Sequence, residues 1–138
     1  LMNAYTCTEC GRCTSSCPAN QTGKKLSPRK IMMDTRDRLE EVGKNIDANK
    51  GVFIPDNKSL LNDYITPEEL WACTSCNACV EECPVSISPL SIIMDMRRYL
   101  VMEQSAAPMA LNSMMSNIEN NGAPWQYSQQ DRLNWKNE

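Results

Sequence analysis

The chain has 138 residues, with 14 basic and 17 acidic side chains, a formal net charge of −3 and no histidine. That length is one domain, and an apolar content of 41% is enough to bury a core. Without histidine there is no imidazole base, no Ser-His or Cys-His nucleophile pair and no His-ligated metal, and the mild acidity speaks against a nucleic-acid partner.

In chain order, Tyr5 precedes a first motif, Cys7-x2-Cys10-x2-Cys13-x3-Cys17-Pro18. Ser27 at an N-cap and Pro28 in the first turn predict a helix that ends near Gly43. Gly51-Val-Phe-Ile-Pro55 allows one short extended piece. Thr66-Pro67-Glu68-Glu69 is a capping box, starting a helix that carries Trp71 into a second motif, Cys73-x2-Cys76-x2-Cys79-x3-Cys83-Pro84. Ser88 and Pro89 open a helix to about Gln104, with Ile93, Met96 and Leu100 on one face. A last helix fits Pro108 to Asn120, its Leu111, Met114, Met115 and Ile118 at helical spacing and Asn121-Gly122 closing it. No segment alternates like a core strand, so the fold class is all-α. No apolar run approaches the roughly 20 residues that cross a bilayer, and no signal peptide is expected at the start.

Residues 26–39 and 87–100 align with seven of 14 positions identical, among them Asp34-x-Arg36 and Asp95-x-Arg97. Tyr5 and Trp71 each stand two residues before a first cysteine. The expectation is a single domain over 1–138, with repeat halves at about 5–42 and 71–104. Residues 105–138 are expected to form a C-terminal helix and a linker toward a missing domain, the chain being a piece of something longer.

All eight cysteines fall in the two motifs. Tight clustering argues against a disulfide scaffold. Two four-cysteine zinc sites remain an alternative, giving a zinc-stabilised structural or adaptor module. Each run also resembles that of the bacterial two-cluster ferredoxins, whose fourth cysteine ligates the other cluster. The resemblance implies two 4Fe–4S clusters as cofactors. One takes Cys7, Cys10, Cys13 and Cys83; the other takes Cys73, Cys76, Cys79 and Cys17. Each such cube with its thiolates carries about −2.

The small ferredoxins have a short spacer on a strand-and-helix sandwich, whereas 55 residues of helical pattern separate Cys17 from Cys73 here. The alpha-helical ferredoxin is the better match. With Trp71-Ala-Cys-Thr-Ser-Cys76, the Ser-Pro helices and the tail from Gly122 to Trp135, the chain resembles the dicluster domain of heterodisulfide reductase C subunits and of glycolate oxidase iron–sulfur subunits. Succinate dehydrogenase iron–sulfur subunits are more distant relatives of that type. The resemblance implies electron transfer within a larger oxidoreductase. The partner would be a redox protein or domain of flavin, quinone or CCG type, and the chain would hold no catalytic residue of its own. It also implies a cytoplasmic place, peripheral to a membrane complex in some relatives.

Single residues leave alternatives open. Tyr5 and Trp71 are expected as buried aromatics that shield the clusters, or as tuning groups. Thr8, Ser15, Thr74 and Ser75 either donate to cluster sulfurs or form turns. The nine methionines are expected as core filling. Lys24, Lys25, Arg29, Lys30, Arg36 and Arg38 are either a helix face with local ion pairs or a docking face for an acidic partner. The repeated Asp and Arg point to a structural role in both halves.

Overall fold

A computed structural model describes residues 2–136. Its helices are α1 (Met2–Thr6), α2 (Arg12–Ser15), α3 (Pro18–Gln21), α4 (Pro28–Ala48), α5 (Pro67–Trp71), α6 (Ala78–Glu81), α7 (Pro89–Met102) and α8 (Met109–Asn121). Leu60–Tyr64 is a wide irregular turn and Gln129–Lys136 a tight helical one. Among the described residues there is no strand, so Gly51–Pro55 pairs with nothing, and the all-α expectation holds. No helix there is long and apolar enough to cross a membrane.

Capping explains where the main helices start. The Ser27 hydroxyl accepts from the Lys30 amide at 3.3 Å, with Pro28 at the position whose missing N–H costs nothing. The same hydroxyl meets that of Thr14 at 2.9 Å, and Thr14 accepts from the Arg29 amide, so α4 is tied to α2. At α5 the box closes in both directions. Thr66 accepts from the Glu69 amide, and the Glu69 carboxylate accepts from the Thr66 amide at 2.8 Å. Ser88 accepts from Ser91 at the start of α7.

One boundary differs from expectation. α4 runs through Gly43 to Ala48. The stop comes at Lys50 and Gly51, with φ of 57° and 92°, where the Gly51 amide donates back to the Ile46 carbonyl at 2.9 Å. The overrun is then fastened down. Arg38, 8% exposed, donates to both carboxylate oxygens of Asp56 and to the Lys58 carbonyl, and the Asn45 side chain bonds both backbone groups of Ile54.

The chain divides into two compact units, Leu1–Arg98 and Tyr99–Glu138. In the first, Ala4, Met32 and Ile87 form a buried cluster against which Cys7, Leu39, Cys83 and Ile92 pack. α1 and α2 lie on α4, and α2 lies on α6. Burying a side chain such as Met32 or Ile93 contributes about 1.5–3 kcal/mol. In the second unit, Gly122 closes α8 at φ 63°, and Arg132 and Gln129 donate to the Asn121 carbonyl at the helix end. The expected apolar stripe on α8 is not a core face: the helix buries no residue, and Met115 and Ile118 are exposed. Core filling likewise holds fully for Met32 and Met96; Met33 and Met114 are half-buried, and Met2, Met94, Met102, Met109 and Met115 reach solvent from ends and outer faces.

Candidate metal centre

The two cysteine loops take the same backbone course. Glu9 and Ser75 both have φ of 56°, and Gly11 and Asn77, two residues on, are left-handed at 80° and 62°. Gly11 and Asn77 then accept from the next turn's amides, as N-caps of α2 and α6. Alternating left- and right-handed residues turn successive N–H groups to one side, a concavity suited to an anion. Glycine takes that conformation freely, and asparagine is the side chain that tolerates it best.

Four sulfurs meet in one cavity. Cys7, Cys10, Cys13 and Cys83 line it together, with Met32 and Ile87 as apolar walls and Arg29 beside them. Cavity and open mouth hold about 350 Å³ free of atoms. At the second loop, Cys79 is buried with Cys73, Cys17 and Cys13 as its thiol neighbours. Cys13 and Cys79 thus bring the two groups side by side. Cys76 is exposed on the rim of its loop. No disulfide joins any of the eight cysteines.

Environment separates members of each loop. The Cys10 thiol is held below its usual pKa first by the Arg12 amide, with help from the Thr8 hydroxyl. Cys76 is lowered in the same way by the Ala78 amide and then Thr74. Burial pushes Cys13 up, and pushes Cys79 up to about 11 with the neighbouring thiols adding to it. An acceptor sulfur ringed by N–H groups and an apolar floor suits a thiolate-ligated group that is itself negative. The donor set is all sulfur, and among the described residues no three acidic or cysteine side chains converge tightly enough to hold one metal ion.

Arginines set the loops. Arg36 forms an ion pair with Glu9, inside the first loop. Arg97 donates to the carbonyls of Leu70 and Cys73 and lies 4.9 Å from the Trp71 ring. The repeated Arg therefore does a comparable job twice, while the repeated Asp does not: Asp34 pairs with Lys30, and Asp95 with Arg98. Thr8 and Thr74 face sulfurs, and the Ser75 amide donates to the Cys73 sulfur at 3.4 Å, whereas Ser15 makes a turn bond to Gly11. Tyr5 is 54% exposed and so is no buried shield; α1 turns Ala4 inward in its place. Trp71 is half-buried under Arg97. The basic face is laced with ion pairs, Lys25 to Glu68, Lys30 to Glu69, Arg38 to Asp56. Arg29 at the cavity had no signal of its own in the sequence beyond its charge.

Known proteins agree with this donor set. A family of 4Fe–4S dicluster domains matches residues 6–87, a stretch that takes in every cysteine. The chain is similar, at 35% identity over all of its length, to a probable iron-sulfur-binding oxidoreductase, FadF, of Bacillus subtilis. It is 33% identical, again over its whole length, to an EtfAB:quinone oxidoreductase of Syntrophomonas wolfei. Over 82% of its length it is 29% identical to an Archaeoglobus profundus protein named for its likeness to the C subunit of heterodisulfide reductase. It spans 24%, 22% and 49% of these relatives respectively.

Proposed function

The chain belongs to the 4Fe–4S dicluster domain family, and from that premise we propose that it conducts single electrons through two 4Fe–4S clusters inside a larger oxidoreductase. The eight cysteines fit two such clusters. In this reading Cys7, Cys10, Cys13 and Cys83 hold one, and Cys73, Cys76, Cys79 and Cys17 hold the other. The observation that carries the pairing is the meeting of Cys83 with the first three cysteines in one cavity, 70 residues or more along the chain.

When bound, each cluster supplies one-electron redox chemistry. The residues of the chain do the rest. The Arg12 and Ala78 amides and the Thr8 and Thr74 hydroxyls stand beside the Cys10 and Cys76 sulfurs, where they favour the thiolate. Met32, Ile87 and Ala4 keep water from the inner side. Arg36 and Arg97 hold the loops still, so that a change of charge meets dipoles already in place. Exposed Cys10 and Cys76 put an edge of each site at the surface, where an electron can enter or leave. The name of one relative, EtfAB:quinone oxidoreductase, supports a partner with a quinone site; a flavin protein or a CCG-type domain is the partner implied by the resemblance to heterodisulfide reductase and glycolate oxidase subunits. A cytoplasmic position, peripheral to a membrane complex where the acceptor is a quinone, goes with this reading.

Anaerobic purification followed by iron and acid-labile sulfide analysis tests it. About eight irons and eight sulfides per chain, with two interacting EPR signals after dithionite reduction, are expected. Cys83→Ser should alter one signal and Cys17→Ser the other. Zinc without sulfide would overturn the reading.

A further inference from the structure

The two cysteine loops share their backbone but differ in one side chain at the sulfurs. Arg29, second residue of α4, lines the cavity formed by Cys7, Cys10, Cys13 and Cys83. Its Nη2 lies 3.7 Å from Oε2 of Glu9, whose other oxygen is taken by Arg36. The Arg29 side chain is 43% exposed overall, and this ion pair ties its outer end to Glu9. Its Nε is buried and has no hydrogen-bond partner. A buried N–H is costly to leave unbonded, so a cavity that holds an acceptor is where such a donor belongs. The aligned position in the second half is Leu90, which has nothing to donate. Arg97 on that side spends its N–H groups on the Leu70 and Cys73 carbonyls. Arg12 also stands beside Cys10, so the first site differs from the second in charge as well as in this directed donor.

We infer that Arg29 donates from Nε to a sulfur of the cluster held by Cys7, Cys10, Cys13 and Cys83, and that it selectively raises the reduction potential of that cluster. The inference rests on the ligand sets proposed above. Reduction of that site takes one electron from the reduced neighbouring site and moves no proton or heavy atom. The charge that arrives is negative, so a charged N–H aimed at it favours the reduced state. An electron shared by the pair is thereby biased toward the first site.

The test is an anaerobic redox titration of the chain carrying both clusters, followed by EPR. Arg29→Leu should lower one midpoint and leave the other in place. At a fixed potential the reduced-to-oxidised ratio of that site should fall about tenfold, which is about 59 mV for one electron. Arg29→Lys keeps the charge but loses the planar Nε donor, and should recover only part of the shift. The signal that moves should be the one altered by Cys83→Ser. If Arg29→Leu fails to load its cluster, the Arg29→Lys titration decides alone. No shift, or an equal shift of both midpoints, overturns the role of Arg29. A single shift on the signal altered by Cys17→Ser overturns it too. If Cys83→Ser and Cys17→Ser perturb the same signal, the ligand sets fail while the Arg29 shift is still read on its own.

Discussion

Glu69 is a carboxylate with 7% of its surface exposed, and everything around it is a donor. Lys30 reaches it at 2.7 Å, and the Thr66 amide and hydroxyl at 2.8 and 3.0 Å. Burial alone would raise its pKa, but the Lys30 and Thr66 donors outweigh that and hold it below the ordinary carboxylate value. A carboxyl depressed on folding stabilises above its unfolded pKa of about 4.3, and the stabilisation is lost as pH falls through the lower folded value. Glu69→Gln should therefore cost about 1–2 kcal/mol of stability, constant from about pH 5 upward. The deficit should shrink below about pH 4.3 as the wild-type carboxyl takes up its proton. Denaturation of the two proteins side by side at each pH reads this, because acid loss of the clusters is common to both. Glu69 was visible in the sequence as half of a capping box. Its bond to Lys30 was not, because 39 residues separate them and only the fold, with the Leu60–Tyr64 turn packed on α4, brings them together. Arg29 and Arg97 are of the same kind: a charged residue shows in a sequence, but which carbonyl or cavity it meets does not.

At the level of elements, α4 shows where local signals mislead. Gly43 is an expected helix stop, yet it lies inside the helix, and a Cβ built there meets nothing within 4 Å. Glycine in a helix interior is about 0.8–1.0 kcal/mol less favourable than alanine. Gly43→Ala should thus stabilise the chain by up to about 1 kcal/mol, read as a higher denaturant midpoint with an unchanged slope. Gly51→Ala should do the opposite, because φ at Gly51 is 92° and alanine is strained there whatever the space. The pair separates a helix that passes Gly43 from one that ends at it. Starts were easier to read than ends for a physical reason. Ser27, Thr66 and Ser88 satisfy amides three residues away, a matter of local sequence alone. Whether a helix continues past a glycine depends on what holds the overrun, here Arg38 on Asp56 and Asn45 on Ile54. α8 makes the complementary point: its apolar spacing marks a helix, but spacing does not say whether the stripe is covered.

For the whole chain, the proposed ligand sets make the two clusters alternative ties on one loop. Cys83 is gathered with Cys7–Cys13, and Cys17 neighbours Cys79, so either cluster joins the two ends of the 55-residue segment between Cys17 and Cys73. Closing a loop of that length removes about 4 kcal/mol of unfolded-chain entropy on the cross-link model. One tie is enough to close it, and the second adds much less. Cys83→Ala and Cys17→Ala should therefore each leave a folded chain, with one cluster and the loop still closed. The double variant should lose considerably more stability than the sum of the two, since only then does the loop open. Were each cluster confined to its own motif, neither would close the loop and the two losses would add. Thermal unfolding of the four proteins under anaerobic conditions, with iron counted before and after, completes the cycle. Additive losses would exclude the crossed arrangement even if both clusters assemble.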